Sequence, residues 1–364
     1  MLVILSGGGT AGHINPALAL AEVLEERGCQ VKFAGTPTGV ESRLVPQAGV
    51  EFVPFEAAGF NRRHPLSLVK ALKLVSKSTK KAKAWLDDVK PDVVVGFGGY
   101  VSIPVGRAAK SRNVPVVIHE QNSVMGLANK MMSKTAQKVC LTYACAAGDV
   151  DSGKIEVTGN PVRKAVLSST RAEGREMLGI PEDAQMLLVF GGSLGARHIN
   201  QALCSMKEEV LAHENLYVVH ITGPKEYDTV MEELALTPEQ AKRWQVMGYQ
   251  NRMGETLAAA DMIISRAGAT SLAEISARAI PAILVPFPFA TADHQTTNAR
   301  AYVEAGCANM MADDSLETPE FKAMVMELIE NADLRQSMHE NALAQETADA
   351  ARRLADVVMG AARA

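Results

Sequence analysis

Short apolar runs alternate with amphipathic stretches along the first half of the chain. The runs are continuously apolar rather than alternating in polarity, which is typical of parallel strands buried on both faces. We predict strands at residues 2–6, 30–35, 50–55, 92–97, 115–119 and 138–143. Between them lie helical patterns such as residues 16–27, which Gly28 ends. This order predicts an α/β fold with a doubly wound parallel sheet.

The same pattern begins again in the second half. A strand predicted at 185–190 runs into glycines, as the first strand runs into Gly7. Further strands are predicted at 217–221, 244–248, 262–265 and 282–285, and residues 319–359 have helical periodicity throughout. A strand at 155–158 precedes Pro161, which marks a boundary. We therefore predict two Rossmann-like domains, residues 1–160 and 161–340, and a C-terminal helix at 341–364.

Composition narrows the class of protein. A length of 364 residues suits two domains, and 47% hydrophobic residues exclude global disorder. The net charge of −4 gives no reason to expect nucleic acid as a partner. The five cysteines form no CxxC pair, so a disulfide scaffold or zinc site is not expected. The first apolar run is too short for a signal peptide, and no stretch approaches the ~20 residues of a membrane span. We expect a soluble cytoplasmic protein that can still touch a membrane.

The first glycine loop lies between a strand and a helix, where backbone N–H groups can bind an anion. Gly7, Gly9 and Gly12 match the spacing of the dinucleotide fingerprint. That fingerprint also needs an acidic residue after the second strand, which here ends at Thr36, so a nicotinamide cofactor is disfavoured. The alternative is a tight turn. His13 follows as a candidate base or donor, or as a packing histidine.

Two loops of the second half repeat this chemistry. Gly191 and its neighbours add the hydroxyl of Ser193 to an anion-binding loop. Residues 269–271 start a helix and offer N–H and hydroxyl groups to a diphosphate. Glu274, a turn further on, could bind a ribose diol, or could be a solvated helix residue. Glycine loops in both halves favour a ligand bound between two domains.

Polar side chains also cluster after two other strands. Asp293, His294, Gln295 and Asn298 follow a proline-rich loop, and such amides suit sugar hydroxyls. Asp293 could instead cap a helix. Residues 119–122 place four polar side chains at the carboxyl end of a strand, where ligands of α/β sheets bind.

The charge of residues 57–86 is reversed relative to the rest of the chain. The segment has eight basic residues and no acidic one, with apolar residues between them. Such a segment is typical of contact with anionic lipid, and the alternative is a solvated basic helix. Nucleic acid is less favoured because few aromatic residues are available for stacking. The predicted membrane contacts are Lys70, Lys73, Leu74, Lys77, Lys80, Lys81 and Trp85.

Seven motifs, in order along essentially the whole chain, resemble the MurG family of cell-wall glycosyltransferases, which convert lipid I to lipid II. They are residues 8–13 with Pro16 and Ala17, 98–100, 119–122, 159–163, 191–196, 265–269 with Glu274, and 293–295 with Asn298. One departure is Ala11, where the family more often has glycine.

The resemblance implies the GT-B fold, two Rossmann-like domains facing a cleft, with the C-terminal helix returning to the N-terminal domain. It implies UDP-N-acetylglucosamine (UDP-GlcNAc) as donor and undecaprenyl-diphospho-muramoylpentapeptide (lipid I) as acceptor. GlcNAc would pass with inversion to the muramoyl O4 hydroxyl. The protein would act peripherally at the anionic cytoplasmic face of the cell membrane, beside other cell-wall synthesis proteins, in peptidoglycan synthesis and hence in cell shape and division. The N-terminal domain would face acceptor and membrane, and the C-terminal domain would bind the donor.

The resemblance also implies roles for single residues. Glu274 would hold the ribose, Arg163 the nucleotide, and the backbone near Gln250 the uracil. Ser193, Ala269, Thr270 and Ser271 would bind the donor diphosphate, and Gln295 and Asn122 the GlcNAc hydroxyls. Thr10, Ala11 and Gly12, with residues 98–100, would face the acceptor diphosphate. No cofactor is implied.

His13 is the first candidate for the general base, since imidazole takes up protons near neutral pH. Glu120 is the rival. No metal-binding constellation is evident, so a helix N-terminus would stabilise the departing UDP.

Three other functions stay open. The first is another UDP-sugar enzyme of the same fold, such as a different glycolipid glycosyltransferase or a UDP-GlcNAc 2-epimerase, which would need no membrane. The second is a non-catalytic UDP-sugar-binding protein. The third, a nicotinamide-dependent oxidoreductase, is disfavoured by the missing acid after the second strand.

Overall fold

The computed structural model describes residues 1–57, 65–192 and 195–363, and gives the backbone alone at 65–71. The chain forms two compact units. Unit 1 comprises Met1–Arg163 and Asp349–Ala364, and unit 2 comprises Lys164–Ala348. The chain thus leaves unit 1 once and re-enters it near the end.

Unit 1 is built on a seven-stranded, all-parallel sheet. Its strands are β1 (Leu2–Ser6), β2 (Gln30–Gly35), β3 (Glu51–Pro54), β4 (Val93–Gly96), β5 (Val116–Glu120), β6 (Lys138–Leu141) and β7 (Ile155–Val157). Their spatial order is β3-β2-β1-β4-β5-β6-β7, the Rossmann order with one added strand. Its helices are α1 (Ala11–Glu26), α2 (Glu41–Gln47), α3 (Pro65–Val89), α4 (Ser102–Ser111), α5 (Leu127–Ser133) and, last in the chain, α17 (Ala350–Arg363).

Both faces of this sheet are covered, which explains the continuously apolar strands. One face packs Val3 and Leu5 against α1 and α17. The other face packs Ile4 and Val94 in one cluster with α3, α4 and α5. Because side chains alternate between faces along a strand, two covered faces require apolar residues at every position.

Unit 2 has a six-stranded parallel sheet in the order β10-β9-β8-β11-β12-β13. Its strands are β8 (Gln185–Phe190), β9 (Leu216–Ile221), β10 (Trp244–Met247), β11 (Met262–Ser265), β12 (Ala282–Leu284) and β13 (Ala308–Met310). Its helices are α6 (Lys164–Ser168), α7 (Arg171–Leu178), α8 (Arg197–Cys204), α9 (Lys207–Leu211), α10 (Tyr227–Leu234), α11 (Gln240–Arg243), α12 (Met253–Ala259), α13 (Ala269–Ala277), α14 (His294–Glu304), α15 (Pro319–Glu330) and α16 (Ala332–Leu343). Short 3-10 helices lie at Ala144–Ala147 and Ser152–Lys154 in unit 1, and at Thr291–Asp293, Asp313–Ser315 and Thr347–Asp349.

The predicted α/β class and its two Rossmann-type sheets are confirmed, and the predicted strands are present to within two residues at either end. Helix α1 begins at Ala11, five residues before the predicted start. The expected continuous helix at 319–359 was wrong. Asn331 has extended backbone there, and its side chain caps α16 by accepting from the Leu334 N–H. A second break at 344–349 includes Glu346, whose φ is 48°.

No helix within the described ranges is both long and apolar enough to cross a bilayer.

Candidate active site

Three loops of unit 1 meet at one edge of its sheet. They follow β1, β4 and β5, which are neighbours in the order of strands. Because parallel strands end at the same edge, residues 7–13, 97–100 and 120–122 lie together there. The hydroxyl of Ser102 joins two of the loops, 2.9 Å from the Ser6 carbonyl oxygen and 2.7 Å from that of Gly98.

His13 occupies the first turn of α1. Its Nδ1 lies 2.8 Å from the carbonyl oxygen of Gly8. A carbonyl can only accept, so Nδ1 carries a proton and Nε2 is left as the basic nitrogen of the neutral ring. Gly98 has a φ of 96°, and a Cβ there would lie 3.2 Å from Nε2. Glycine at that position therefore keeps this side of the imidazole uncrowded.

A buried carboxylate that sequence reasoning missed lies beneath the first glycine loop. Glu41 is completely buried. Its Oε1 accepts from the N–H and hydroxyl of Thr36 at 3.0 and 2.5 Å, and its Oε2 accepts from the Gly9 N–H at 3.3 Å. The only signal in the sequence was a lone glutamate soon after the second strand.

The carboxylate of Glu120, the rival candidate base, is engaged in hydrogen bonds within the protein. Its Oε1 accepts from the backbone and side-chain N–H groups of Asn122, and its Oε2 accepts from the Gly126 N–H at 3.0 Å and the Asn129 side chain at 2.8 Å. The residue is 2% exposed. A carboxylate with this many acceptor bonds is an anchor for the loop after β5, so the geometry argues against Glu120 as the base.

His119 is likewise interior. Its Nε2 donates to the Gly159 carbonyl at 2.9 Å, and its Nδ1 accepts from the Gln121 amide at 3.1 Å. Burial lowers the pKa of His119 to about 4, against the opposing effect of the Gly159 hydrogen bond. The polar run after β5 is therefore largely a structural network, of which Asn122 remains half-buried near the edge.

The acceptor-side residues lie where loops and helix meet. Thr10 is exposed and caps α1 with extended backbone but without a side-chain bond. Ala11 and Gly12 form the first residues of that helix. Arg163, a candidate for the donor nucleotide rather than the acceptor, is the last residue of the first segment of unit 1.

Unit 2 carries a cavity of about 490 Å³ at the equivalent edge of its own sheet. Its walls come from the segments after β8, β11, β12 and β13. They are Gly191, Gly192, Gly195, Ala196, Arg197, His198, Arg266, Gly268, Ser271, Phe287, Pro288, Phe289, Gln295 and Asp313. Ser193 lies outside the described residues.

Charged residues that the sequence did not single out form part of the cavity wall. The Arg266 guanidinium lies 2.5 Å from one oxygen of Asp313 and within 3.3 Å of the Val285 and Pro286 carbonyls. The other oxygen of Asp313 lies 2.6 Å from Nδ1 of His198. This group joins the segments that follow β8, β11 and β13. Among the described residues, no cluster of three or more acidic, histidine or cysteine side chains could hold a metal ion.

The N-terminus of α13 opens into this cavity. Gly268 is its N-cap, Ala269 and Thr270 follow, and Ser271 lines the cavity. The first N–H groups of a helix have no partner within it, so they can bind an anion there. Glu274 is buried, only 7% exposed, which excludes the solvated helix residue that the sequence allowed.

The remaining donor-side candidates are tied to the backbone. The side-chain oxygen of Gln295 accepts from the N–H groups of Ala267 and Phe287 at 3.2 and 2.9 Å. Its amide nitrogen is therefore the group that could donate to a ligand. The side-chain oxygen of Gln250 accepts from the Arg252 N–H at 2.9 Å. A ligand near Gln250 would therefore meet backbone groups rather than that oxygen.

The described lysines of the basic segment lie on the outer side of α3. Lys73, Lys77, Lys80 and Lys81 are exposed and Leu74 is half-buried; the side chain of Lys70 lies outside the described residues. Trp85 is half-buried: its ring lies 5.3 Å from that of Phe55 and packs against the core beneath α3. Its predicted membrane contact would therefore involve only the exposed part of the ring.

Comparison with known proteins shows which family the chain resembles. The model of the glycosyltransferase family 28 N-terminal domain matches residues 3–141, and that of its C-terminal domain matches residues 186–354. A UDP-N-acetylglucosamine--N-acetylmuramyl-(pentapeptide) pyrophosphoryl-undecaprenol N-acetylglucosamine transferase of Leuconostoc mesenteroides is 41% identical over 363 residues, covering 99% of both chains.

Solved structures agree. The crystal structure of Acinetobacter baumannii MurG has a TM-score of 0.74 and 30% identity, covering 99% of both chains. A putative UDP-N-acetylglucosamine 2-epimerase from Listeria monocytogenes has a TM-score of 0.69 at 14% identity, covering 97% of this chain and 94% of its own, which shows a shared fold alone. The resemblance seen in the motifs is confirmed, and the chain belongs to the MurG family of N-acetylglucosamine transferases with the GT-B fold.

Proposed function

We propose that this protein transfers GlcNAc from UDP-GlcNAc to the muramoyl O4 hydroxyl of undecaprenyl-diphospho-muramoylpentapeptide, forming lipid II for peptidoglycan. The observation that carries the proposal is the 41% identity to a transferase of that name along 99% of both chains. Similarity to the putative epimerase, at 14% identity, gives no comparable support for epimerisation.

The donor is assigned to the cavity of unit 2. The UDP diphosphate would lie at the N-terminus of α13, against Ala269, Thr270 and Ser271, with Ser193 as a further hydroxyl donor. This assignment is supported by the opening of that helix end into the cavity. The nearby Arg266 adds a guanidinium whose charge is partly balanced by Asp313.

Other parts of the donor are assigned by the family resemblance. Glu274 would accept hydrogen bonds from the ribose diol, Arg163 would contact the nucleotide, and backbone groups near Gln250 would hold uracil. Gln295 would offer its amide nitrogen to GlcNAc hydroxyls, which fits an oxygen already engaged by two backbone N–H groups. Asn122 would form hydrogen bonds with hydroxyls of the same sugar.

The acceptor is assigned to unit 1. Thr10, Ala11, Gly12 and residues 98–100 would bind its diphosphate. The O4 oxygen would attack C1 of GlcNAc on the face opposite UDP, forming the new C–O bond while the bond to UDP breaks. The electron pair leaves with UDP, whose growing negative charge the α13 N-terminus stabilises. The hydroxyl proton passes to Nε2 of His13.

Membrane contact is assigned to the outer side of α3. The acceptor carries a lipid, so the protein must reach a bilayer surface. Lys73 and Lys80 are exposed, while Lys77 also approaches Glu56 at 3.1 Å and Lys81 donates to the Pro54 carbonyl at 2.7 Å. Clustered lysines of this kind attract anionic headgroups.

The test is transfer of labelled GlcNAc from UDP-GlcNAc to a lipid I analogue, with UDP-glucose and no-acceptor controls. We expect transfer that depends on the acceptor and on GlcNAc. His13→Ala should reduce kcat by about 10²–10⁴-fold, the usual contribution of a general base, with UDP affinity unchanged.

Two results would contradict this proposal. Conversion of UDP-GlcNAc to its 2-epimer without acceptor would make the protein an epimerase. Near-normal transfer by His13→Ala would keep the reaction but remove His13 from its role.

A further inference from the structure

We infer that Glu41 positions His13 for proton transfer by acting through the peptide group that joins Gly8 to Gly9. The inference rests on the proposed role of His13 as the base. It gives a function to a buried carboxylate that neither the sequence motifs nor the substrate assignments use.

The two ends of one peptide group carry the argument. Its N–H, from Gly9, donates to Oε2 of Glu41 at 3.3 Å. Its carbonyl, from Gly8, accepts from Nδ1 of His13 at 2.8 Å. Carboxylate, peptide and imidazole therefore form a single line of hydrogen bonds from the interior of unit 1 to the candidate base.

The space for Glu41 is made by glycines on three sides. A Cβ at Gly8, Gly35 or Gly39 would collide with the Glu41 side chain. Oε1 is fixed by two donors from Thr36. The carboxylate is thus held in one place, and its second oxygen is directed at the loop that contacts His13.

The arrangement determines which ring nitrogen of His13 is basic. A charged acceptor strengthens the bond from Gly9, and a peptide polarised at its N–H becomes a better acceptor at its carbonyl. Hydrogen bonding to Gly8 therefore keeps the proton on Nδ1 and leaves Nε2 to accept one. When Nε2 takes the acceptor proton, the buried negative charge stabilises the resulting imidazolium through the same peptide.

The first measurement needs only the wild-type protein. In protein labelled with ¹⁵N-histidine, ring ¹⁵N shifts distinguish protonated from unprotonated nitrogens, and the His13 signals are those lost in His13→Gln. We expect neutral His13 to carry its proton on Nδ1. Protonation on Nε2 instead would overturn the inference, whatever reaction the protein catalyses.

The second measurement is Glu41→Gln, which keeps the shape but not the charge. A single amide oxygen cannot serve both Thr36 and Gly9, so the NH₂ group would face the Gly9 N–H. We expect kcat for transfer to fall about 10–100-fold, as for other residues that orient a functional side chain, with KM for UDP-GlcNAc changed less than about twofold. The Nδ1-protonated form of His13 should also become less populated.

Thr36→Val is the matched control. It removes one hydrogen bond to Oε1 but leaves Oε2 on Gly9, so it should lower thermal stability while kcat and the His13 tautomer stay near wild type. If Glu41→Gln kept normal kcat, or Thr36→Val lost kcat as severely, Glu41 would be a structural residue and the inference would fail. Loss of kcat in Glu41→Gln without any change in the His13 tautomer would fail it too.

Discussion

The two units share one strand order but build opposite environments at the carboxyl ends of their strands. In unit 1, Glu41 and Glu120 are buried there and bound to backbone N–H groups of the surrounding loops. In unit 2, the equivalent edge holds a cavity of about 490 Å³, walled by glycines, Arg266 and the start of α13.

Topology fixes where a site forms but not what it can bind. Loop amides bound to the protein's own carboxylates give a rigid edge, which in unit 1 holds the loop that contacts His13, the proposed base. A helix N-terminus that opens into a cavity gives an edge suited to an anionic ligand. Under the proposed function, the same fold would supply positioning in one unit and charge stabilisation in the other.

Each unit contains one of the two tryptophans, so the unfolding of each unit can be followed separately in solution. Trp85 belongs to unit 1 and Trp244 to unit 2. Fluorescence of the Trp244→Phe variant therefore follows unfolding of unit 1, and that of Trp85→Phe follows unit 2.

The largest loss of stability expected from a single substitution is in unit 1. Glu120→Ala removes the acceptor of the buried Asn129 amide and of the partly buried N–H groups of Asn122 and Gly126. Since a buried group left unsatisfied costs ~1–3 kcal/mol, the free energy of unfolding should fall by about 3 kcal/mol, measured by urea titration at Trp85. The transition at Trp244 should not move. A loss below about 1 kcal/mol would show that the buried network does not stabilise this edge.

The next effect is on ligand binding by unit 2. Glu274→Ala should weaken UDP binding about 10–100-fold, the loss of roughly two hydrogen bonds to a charged acceptor, measured by calorimetry. Glu176→Ala, at an exposed position on α7, is the control and should bind normally. Equal affinity in both variants would remove Glu274 from the donor site.

Acid should destabilise both units through one buried histidine in each. Burial lowers the pKa of His119 to about 4 and that of His220 to about 3. Unfolded histidine binds a proton below about pH 6.5 while the folded ring does not, so stability falls as pH decreases, by up to ~1.4 kcal/mol per pH unit for each histidine.

The two units should differ in the pH at which this loss of stability levels off. The contribution of His119 levels off near pH 4, whereas that of His220 continues to about pH 3. Urea titrations of the two single-tryptophan variants between pH 7 and pH 3, compared with His119→Gln and His220→Gln, measure each share. An unchanged slope in His119→Gln would mean that its protonation is not linked to folding.

The smallest effect is at the outer side of α3. Lys73→Ala and Lys80→Ala should each weaken binding to phosphatidylglycerol vesicles about fivefold, near the ~1 kcal/mol that one lysine gains at an anionic surface. Lys110→Ala and Lys242→Ala, both exposed and outside α3, are the controls. Equal effects at all four positions would point to net charge rather than a defined surface.

Local patterns predicted the strands because burial on both faces leaves a plain signature. They failed where tertiary contacts decide the structure. Strand β13, Ala308–Met310, is three residues long and contains Asn309, so neither length nor polarity marks it. It exists because β12 offers an edge to pair with.

Candidate site residues that belong to a motif could be predicted from the sequence. Those whose position depends on burial in the fold could not. The glycine loops and His13 could be found from their position after strands. Glu41 could not, because its burial depends on Gly8 of the first glycine loop packing beside Gly35 and Gly39, which come at and after the end of β2. From the sequence, Glu120 was a candidate base. The structure shows that surrounding N–H groups hold its carboxylate as an anchor, and those contacts cannot be read from the sequence.

The return of α17 to unit 1 has a consequence for synthesis on the ribosome. Unit 2 is one continuous segment, complete once Ala348 has emerged. The core of unit 1 includes Leu354, Val358 and Ala361, packed with Val3 and Leu5. Although most of unit 1 is made first, part of its apolar core stays uncovered until α17 is translated, so unit 1, which holds His13, matures after unit 2.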